Sequence, residues 1–298
     1  MDKKPIALAC RMDSEKAIKL AKKIFEFLVQ KGEIIYLETR IAPKIFLHNG
    51  MDLGDMTSEN IKFIVVIGGD GSILRVVSSL SQKNPPPILG VNIGSIGFLD
   101  ESDEVTVFED LVRVLKEDYE IELCSKITPF LVKNSDEIRL NNALNEVLIV
   151  SSKSSKILQV SIRINNVFLN RSYLDGVIIS TSTGSTAYNL SAGGAIVNPF
   201  LEIIQITPLN SFAGSGLKPI IVPMDSEIEI QLLRPRLDGK IVIDGQRIIK
   251  KIPSNTKIRI RKSNSHTKFI RLSKNYYSRL REKIIGTINV PLDDSPEE

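Results

Sequence analysis

The stretch Ile61-Lys62-Phe63-Ile64-Val65-Val66-Ile67-Gly68-Gly69-Asp70-Gly71-Ser72 decides the fold of this chain. An apolar run rich in β-branched residues that stops at two glycines, an aspartate and a third glycine predicts a buried parallel strand followed by a tight turn. The turn then lies at the carboxyl end of the strand. Ser72 precedes an amphipathic run from Ile73 to Val77. We therefore predict that Ser72 caps a helix that starts there.

The glycine turn has the composition of a phosphate site. At Gly68, Gly69 and Gly71, backbone N–H groups can approach a polyanion because no Cβ blocks the way and positive φ costs little. The positive end of the helix dipole, near Ser72, favours an anion at the same place. Phosphates repel a carboxylate unless it binds a metal or takes a proton. A carboxylate is therefore costly at this position, and we expect Asp70 to take part in the reaction. The alternative is an ordinary strand-to-helix turn in which Asp70 makes a local Asx-type hydrogen bond.

Strands and helices alternate through the first hundred residues. Strands are predicted at 5–10, 33–38, 61–68 and 88–92. A helix is predicted from an N-cap at Asp13 to a stop at Gly32, and another from Val105 to Tyr119. This alternation predicts an α/β domain with an open parallel sheet, which binds ligands at the carboxyl ends of its strands.

A different pattern begins at Ile121. Short segments such as Leu158 to Ile164 alternate polar with apolar residues, which predicts half-buried antiparallel strands. We therefore predict an α/β phosphate-binding domain at residues 1–100 and a β-rich, mostly antiparallel domain at residues 101–270. The segment from Tyr276 to Ile285 is predicted to be helical, and residues 271–298 to pack back on the first domain.

Two polar segments lie within the β-rich region. The run from Asp175 to Gly194 combines several hydroxyls with glycines and with Tyr188. Hydroxyls and backbone N–H groups suit ribose and phosphate oxygens, and a tyrosine offers a face on which a base can stack. An ordinary polar loop with Tyr188 in the core is the alternative. The second segment, Asn141 to Glu146, leads directly into a strand, and a simple turn explains it equally well.

Composition restricts the partners and the compartment. The 298 residues are 42% hydrophobic and 25% charged, which suits a globular protein with a sizeable core. A formal net charge of +4 favours neither nucleic acid nor a membrane surface as a partner. The region 257–283 is basic, but Lys257, Arg259 and Arg261 alternate along a strand and predict a solvated face. No apolar run reaches the ~18 residues that a bilayer helix needs. Cys10 and Cys124 lack metal-ligand spacing, and a buried free thiol at Cys10 indicates a reducing cytoplasm.

Five motifs together resemble those of the NAD kinases, which phosphorylate NAD with ATP or polyphosphate. The motifs are Gly68-Gly69-Asp70-Gly71-Ser72, Asn92 through Leu99, Asn145-Glu146, Asp175 through Gly194 and Asp244-Gly245-Gln246. Their order and spacing match that family from about residue 60 to 250. The resemblance implies a two-domain kinase, active as a homodimer or homotetramer, with NAD between the α/β domain and the β domain.

The resemblance also implies the roles of individual residues. Asp70 would be the catalytic proton acceptor, and Gly68, Gly69, Gly71 and Ser72 would bind the phosphates. Mg²⁺ would arrive with the nucleotide and keep most of its waters, which agrees with the lack of a carboxylate cage in the sequence. The residues expected to contact NAD are Asp70, Gly71, Asn145, Glu146, Asp175, Thr183, Thr186, Ala187, Tyr188, Asn189, Leu190, Ser191 and Gln246.

Three other functions share part of this pattern. Phosphofructokinases and diacylglycerol-type lipid kinases have the same glycine turn, but a lipid kinase needs an apolar entry surface rather than the run from Thr183 to Tyr188. A non-catalytic sensor of NADP would have no use for a base at Asp70. The sequence leaves open the phosphoryl donor, the preference for NAD or NADH, the oligomer size and feedback by NADP.

Overall fold

The computed structural model describes residues 3–45, 50–94, 97–133, 136–153, 156–211, 216–233, 238–272, 276–281 and 284. Within them lie the helices α1 (Glu15–Gln30), α2 (Asp70–Ser79), α3 (Val107–Leu115), α4 (Tyr188–Ser191) and α5 (Tyr276–Leu280). The strands are β1 (Ile6–Cys10), β2 (Ile35–Glu38), β3 (Gly50–Met51), β4 (Ile64–Gly68), β5 (Ile88–Asn92), β6 (Ser102–Asp103), β7 (Glu120–Lys133), β8 (Asp136–Arg139), β9 (Glu146–Ser151), β10 (Leu158–Ile164), β11 (Val167–Leu174), β12 (Gly176–Thr181), β13 (Ile203–Leu209), β14 (Ile220–Pro223), β15 (Ile228–Leu232), β16 (Gly239–Ile243), β17 (Arg247–Ile252) and β18 (Lys257–Arg271). None of these helices combines the length and the hydropathy needed to cross a bilayer.

The parallel sheet at the N-terminal end is confirmed. Strands β3, β2, β1, β4 and β5 lie side by side in that order, and all their pairings are parallel. Alternate residues of β4 face two different cores. Val65 and Ile67 pack with α1 and α3, whereas Ile64 and Val66 pack with α2. Because both faces of β4 are covered, its sequence is an uninterrupted apolar run.

The antiparallel region is confirmed as well. A second sheet has the order β14-β13-β12-β9-β16-β17, and every pairing in it is antiparallel. Its inner face packs against β10, β15 and β18, through buried aliphatic residues such as Ile149, Ile179, Ile230 and Ile260. The fold is therefore an α/β domain followed by a mostly antiparallel β region.

One long strand joins the two regions. Strand β18 pairs antiparallel with β15 near Lys257 and with β7 along most of its length. At its far end, Phe269 pairs in parallel with Ile88 of β5. A single twelve-stranded sheet therefore continues from the parallel strands into the antiparallel ones. The sequence pattern predicted a strand only from Lys257 to Arg261.

The domain boundary at residue 100 stays a prediction. Helix α3 follows that boundary, yet Val107, Leu111 and Val114 are buried in the same core as α1. Leu272 also packs at this core, whereas the Tyr276 hydroxyl donates to the Val197 carbonyl in the β-rich region, at 3.3 Å. Of the segment predicted to be helical up to Ile285, α5 covers the first five residues; residues 282–283 and 285–298 lie outside the described part of the chain.

Two predicted helix caps are wrong. Helix α1 is capped by Ser14, whose Oγ accepts from the Ala17 N–H, because the Asp13 carboxylate is paired with Arg11 at 2.8 Å. Helix α2 begins at Asp70, directly after the glycines, with Gly69 as its N-cap. Ser72 lies inside the first turn, which closes when the Ser72 N–H donates to the Gly69 carbonyl at 2.8 Å.

The basic strand positions near the C-terminus are paired with acids. Arg259 and Arg261 both bind Glu137 on β8, two strands away in the sheet, at 2.9 and 2.8 Å. Arg259 also binds Glu229, and Arg261 binds Glu227. The solvated face predicted there is thus a network of compensated charges. Both cysteines are free and buried, as predicted for Cys10.

Candidate active site

The carboxyl ends of the parallel strands bring the glycine turn next to two other chain segments. In the register of the sheet, Cys10 pairs with Ile67 and Gly68 pairs with Asn92. The Arg11 N–H donates to the Ile67 carbonyl at 2.8 Å. Arg11, the glycine turn and the loop after Asn92 therefore meet at one edge of the sheet, where ligands bind in open α/β sheets.

A cavity of about 400 Å³ opens at the glycine turn. It is lined by Arg11, Met12, Asp13, Arg40, Gly69, Gly71, Ser72, Arg75 and Gln246. A Cβ added to Gly69 or to Gly71 would meet no other atom within 4 Å. The backbone there is ordinary, with φ of −108° at Gly69 and helical geometry at Gly71, so the expected positive φ is wrong for these two glycines. Their missing side chains instead leave the floor of the cavity open.

Carboxylates hold the guanidinium groups around this cavity. Arg75 donates to both oxygens of the buried Glu38, at 2.6 and 2.7 Å. Arg11 makes the same type of two-point contact with Asp13. Such forked pairs fix the plane of a guanidinium group. The remaining N–H groups of each arginine suit phosphate oxygens.

Asp70 lies where the glycine turn meets the loop after β5. Its carboxylate accepts from the backbone N–H groups of Phe98 at 2.9 Å and Leu99 at 3.1 Å. The same loop is held by Asp100, which accepts from the Gly97 N–H at 3.0 Å. Two bonds leave the Asp70 carboxylate with further lone pairs, so it can still accept a proton from a substrate.

A second turn, residues 144–146, is fixed by the buried Asp244. The Asp244 carboxylate accepts from the backbone N–H groups of Leu144, Asn145 and Glu146, at 2.8, 2.7 and 3.0 Å. Asp244 and Gly245 both have positive φ, 50° and 65°, and form the tight connection between β16 and β17. The same connection carries Gln246 to the cavity at the glycine turn.

The carbonyl groups of the 144–146 turn are held from the opposite side. The Thr181 N–H donates to the Asn145 carbonyl at 2.9 Å, and Thr181 Oγ1 donates to the Leu144 carbonyl at 2.6 Å. A Cβ on Gly184 would lie 2.1 Å from the Asn145 carbonyl oxygen, so only glycine permits this contact. The backbone of the turn is thus fixed through both its N–H and its C=O groups.

One oxygen atom in each of the two polar side chains of this turn has no partner among the described residues. Asn145 and Glu146 are 6% and 7% exposed, yet Asn145 Oδ1 and Glu146 Oε2 have no hydrogen-bond partner in the described part of the chain. Burial, reinforced by the charge of Asp244, raises the pKa of Glu146 to about 8. At neutral pH this carboxyl group carries a proton and can both donate and accept a hydrogen bond. Buried polar atoms without partners mark a place for a polar ligand.

The hydroxyl-rich run divides into three parts. Thr183 and Thr186 line a small cavity together with Phe98, Leu99, Glu122, Ser182, Val197, Pro199, Arg271, Tyr276 and Arg279. Tyr188, at the start of α4, is 46% exposed, Ser191 is exposed, and Ala187 and Leu190 are half-buried. Asn189 is instead fully buried, and its Oδ1 accepts from Thr207 Oγ1 at 2.6 Å inside the second sheet.

Asp175 is not brought to this group of residues within one chain. It precedes β12, in which Gly176 pairs with Val150 while Ser180 pairs with Glu146. At ~3.4 Å per residue, the five steps along the chain from Asp175 to Ser180 span roughly 17 Å. The Asp175 carboxylate accepts from Asn210 Nδ2 at 2.9 Å.

Two family models match the chain. The ATP-NAD kinase N-terminal domain matches residues 6–119, and the ATP-NAD kinase C-terminal domain matches residues 144–272. An NAD kinase from Methanothermobacter thermautotrophicus is 36% identical over 94% of this chain and 96% of its own length. The chain belongs to the NAD kinase family. The lipid-kinase and phosphofructokinase alternatives do not explain matches of this extent.

Solved structures of the NAD kinase family have the same fold. An NAD kinase from Archaeoglobus fulgidus, solved in complex with ATP, is 28% identical, with a TM-score of 0.73 over 93% of this chain and 98% of that one. A yeast NADH kinase complexed with NADH has a TM-score of 0.84 over 100% of this chain and 90% of that one. At 23% identity, this second likeness shows the fold alone.

Five residues at or near the candidate site escaped sequence reasoning. Asp244 stands in a recognised motif, but its partners are N–H groups about a hundred positions earlier, which no local pattern reveals. Arg11 and Arg40 each lie just after a predicted strand. This location at the ligand-binding edge of the sheet could have identified them. Arg75 was assigned only to an amphipathic helix. Lys126, which is 2% exposed, left no signal because its burial depends on the packing of distant strands.

Proposed function

We propose that this protein transfers a phosphoryl group from ATP or polyphosphate to the adenosine-ribose 2′-hydroxyl of NAD, which yields NADP. The observation that carries the proposal is the pair of buried, unpartnered atoms Asn145 Oδ1 and Glu146 Oε2 on a rigid turn. The hairpin that fixes this turn also delivers Gln246 to the cavity at the glycine turn. A site whose polar atoms suit the hydroxyl groups of a phosphoryl acceptor thus adjoins the anion site at the glycine turn.

Ribose hydroxyls fit the acceptor side. Each hydroxyl donates one hydrogen bond and accepts others, so it can donate to Asn145 Oδ1 and exchange bonds with the protonated Glu146. Thr183 and Thr186 supply further hydroxyls, and the exposed ring of Tyr188 offers a stacking face. The sequence-predicted contacts at Ala187, Leu190, Ser191 and Gln246 belong to this proposal. Asn189 and Asp175 are its weakest members, because both are engaged elsewhere in the chain.

The phosphoryl donor belongs in the cavity at the glycine turn. Arg11, Arg40 and Arg75 surround that cavity, and the N-terminus of α2 points its backbone N–H groups at it. The related Archaeoglobus enzyme was solved with ATP, which supports a nucleotide as the donor. A polyphosphate chain presents the same oxygens to these arginines, so the donor is decided by experiment.

Asp70 acts on the acceptor hydroxyl. Its carboxylate is anchored by two backbone N–H groups at the junction of the glycine turn and the loop after β5. From there it accepts the proton that the 2′-hydroxyl loses as the oxygen attacks the terminal phosphorus atom; the bond from that phosphorus to the bridging oxygen breaks, which releases ADP or the shortened polyphosphate. Phosphoryl transfer depends chiefly on positioning and charge stabilisation, and a positioned base adds ~100- to 10,000-fold in rate.

A divalent metal such as Mg²⁺ fits this site as a companion of the nucleotide. No group of three or more His, Cys, Asp or Glu side chains among the described residues is arranged to hold a metal ion. Mg²⁺ bound to substrate phosphates needs only one or two carboxylates and keeps several waters. Held by the substrate phosphates and its own waters, the ion would need no dedicated carboxylate cage of the chain, and it would neutralise phosphate charge.

The assembly and the compartment are also part of the proposal. Exposed apolar side chains such as Leu123, Phe200 and Leu201 support association into a homodimer or homotetramer. Two buried cysteines without a disulfide support a reducing cytoplasm. No nucleic-acid or membrane partner is proposed, because the arginines of β18 are already paired with glutamates.

One assay tests the function. Purified protein is mixed with Mg²⁺ and either NAD or NADH, and given ATP or polyphosphate, while formation of the 2′-phosphorylated product is followed with an NADP-specific dehydrogenase. Turnover with NAD and one of the two donors is the expected result. NADP binding by calorimetry without any turnover would instead support a sensor, and turnover on a sugar phosphate or a diacylglycerol alone would contradict the proposal.

A further inference from the structure

Lys126 of β7 is a lysine with almost no contact with solvent. Its side chain is 2% exposed, and its Nζ donates to Gln82 Oε1 at 3.0 Å. Lysine is among the residues that are least often buried, because removing an ammonium group from water is costly unless a negative charge compensates it. Gln82 is uncharged, so the compensating charge lies elsewhere.

Lys126 lies directly beside the turn that carries Asn145 and Glu146. The next residue, Ile127, forms a two-way backbone bridge with Ala143, at 3.0 and 2.8 Å. Asn142 Nδ2 donates to the same Gln82 oxygen as Lys126, at 2.8 Å. The ammonium group is thus tied to the chain segment that leads into residues 144–146.

We propose that Lys126 is a positioning residue of the NAD site, whose buried ammonium group, anchored by Gln82 beside the segment that leads into residues 144–146, supports the Asp244 carboxylate that holds this turn. This inference rests on the proposed function only for the identity of NAD as the ligand of that turn. Lys126 touches neither substrate, so its effect passes through Asp244.

Electrostatics supports the direction of this effect. Burial raises the pKa of Asp244 to about 6, while its three backbone bonds and the charge of Lys126 act against that rise. Burial likewise lowers the pKa of Lys126 to about 8, and the charge of Asp244 opposes this. Without the ammonium group, the pKa of Asp244 would move further toward neutrality. A protonated carboxyl group presents an O–H to N–H donors, so at least one of the three bonds would be lost.

A purely structural role for Lys126 gives different expectations. In that case its bond to Gln82 merely ties β7 to the segment after α2, and its loss changes the melting temperature alone. Lys268 provides a matched control, since its Nζ donates to Asn84 Oδ1 at 2.8 Å and to Ser58 Oγ at 3.2 Å. Both lysines thus bond to the segment after α2, but no contact of Lys268 leads to the 144–146 turn among the described residues.

The test compares Lys126→Met with Lys268→Met. Because loss of one member of a buried charge pair destabilises a fold, Lys126→Arg, which keeps the charge, is measured beside Lys126→Met and should keep the KM for NAD within about two-fold of the wild type. We expect Lys126→Met to raise the KM for NAD ten-fold or more and to change the KM for the donor less than two-fold. In the absence of any substrate, the amides of residues 144–146 should exchange with deuterium at least ten-fold faster than in the wild type. Lys268→Met should leave both KM values and this exchange unchanged.

Coupling to Asp244 completes the test. If Lys126 acts through Asp244, the double variant Lys126→Met with Asp244→Asn should bind NAD no more weakly than Asp244→Asn alone. Additive losses, or unchanged amide exchange in Lys126→Met, would overturn the inference. Because amide exchange requires no substrate, it reports on Lys126 even if the wild-type protein makes no NADP, a result that would instead reject the proposed function.

Discussion

Gly97 provides space that the Asp70 carboxylate occupies: a Cβ on Gly97 would lie 2.0 Å from Asp70 Oδ1. The same absent atom would also lie 2.9 Å from the Asp100 carboxylate. The loop after β5 therefore wraps around two acidic side chains at van der Waals distance. Glycine is required at this position because of steric contact with the proposed catalytic group.

Replacing Gly97 with alanine should displace Asp70. The added methyl group cannot coexist with the carboxylate, so either Asp70 or the loop must move, and a 1 Å error in position can cost ~100-fold in rate. We expect Gly97→Ala to lower kcat at least ten-fold, as measured by NADP formation. Gly54→Ala is the control, because a Cβ there meets only the Ser79 carbonyl at 3.9 Å. Wild-type kcat in a Gly97→Ala protein would show that the loop can adapt without moving the base.

Replacing Asp70 with asparagine should remove most turnover and leave NAD binding within a few-fold. The amide keeps the shape but cannot accept a proton, so we expect kcat to fall ~100- to 10,000-fold. Calorimetric titration with NAD measures binding separately. Asp103→Asn is the control, since Asp103 also accepts from two backbone N–H groups, those of Val105 and Thr106. An Asp70→Asn enzyme with near-normal turnover would exclude Asp70 as the base.

Truncating the Glu146 side chain should weaken binding of NAD and leave binding of the phosphoryl donor unchanged. Each ribose hydroxyl left without its partner costs about 1–3 kcal/mol, so Glu146→Ala should raise the KM for NAD roughly ten-fold or more. The KM for the phosphoryl donor should change less than about two-fold. Glu229→Ala removes another buried glutamate, paired with Arg259, and should lower only the melting temperature. If Glu146→Ala behaves like Glu229→Ala, Glu146 has a structural role.

The ligand-free protein should lose stability as the pH rises toward 8, through Glu146. The pKa of Glu146 is raised from 4.5 to about 8 in the folded state, so between these values the folded protein holds a proton that the unfolded chain releases. Stability then falls with rising pH, by at most about 1.4 kcal/mol per pH unit for one proton. Melting temperatures from about pH 6 to about pH 8 measure this slope. Glu146→Gln should flatten it, whereas parallel curves for the two proteins would contradict the assignment.

Replacing Arg75 should weaken binding of the phosphoryl donor rather than binding of NAD. It lines the cavity at the glycine turn and is held by Glu38, so Arg75→Met should raise the KM for the phosphoryl donor about ten-fold, with less than about two-fold change for NAD. Arg113→Met removes a surface pair with Asp118 and is the control. A larger effect on NAD than on the donor would place the acceptor, not the donor, in this cavity.

Local patterns in the sequence explain which parts of the fold were predictable. The apolar run ending at Gly68 is buried on both faces, and strand direction then places the glycine turn and the loop after Asn92 at one edge. The cap at Ser72 was wrong because the chain enters the helix at Asp70, where the carboxylate finds partners 28 and 29 residues later. Distant partners of that kind leave no local pattern.

Within the site as well, contacts between residues that are distant in sequence could not be predicted. Asn145 and Glu146 came from a family resemblance, and the structure explains them through a turn held by Asp244. Asp244 lies 100 residues after Leu144, from whose N–H it accepts a hydrogen bond, and Gln82, the partner of Lys126, lies 44 residues before that lysine. Asp175 matches the family motif, yet its position in one chain follows from the length of β12, which the motif does not encode.

Strand β18 also affects how the chain acquires this fold during synthesis. The outer side of β5 at Ile88 is completed by Phe269, about 180 residues later, so that length of polypeptide must leave the ribosome before this strand is covered. An uncovered strand edge invites pairing with another nascent chain, and contacts of such long range form slowly. The residues of β18, translated long after β5, therefore protect the first half of the molecule from aggregation.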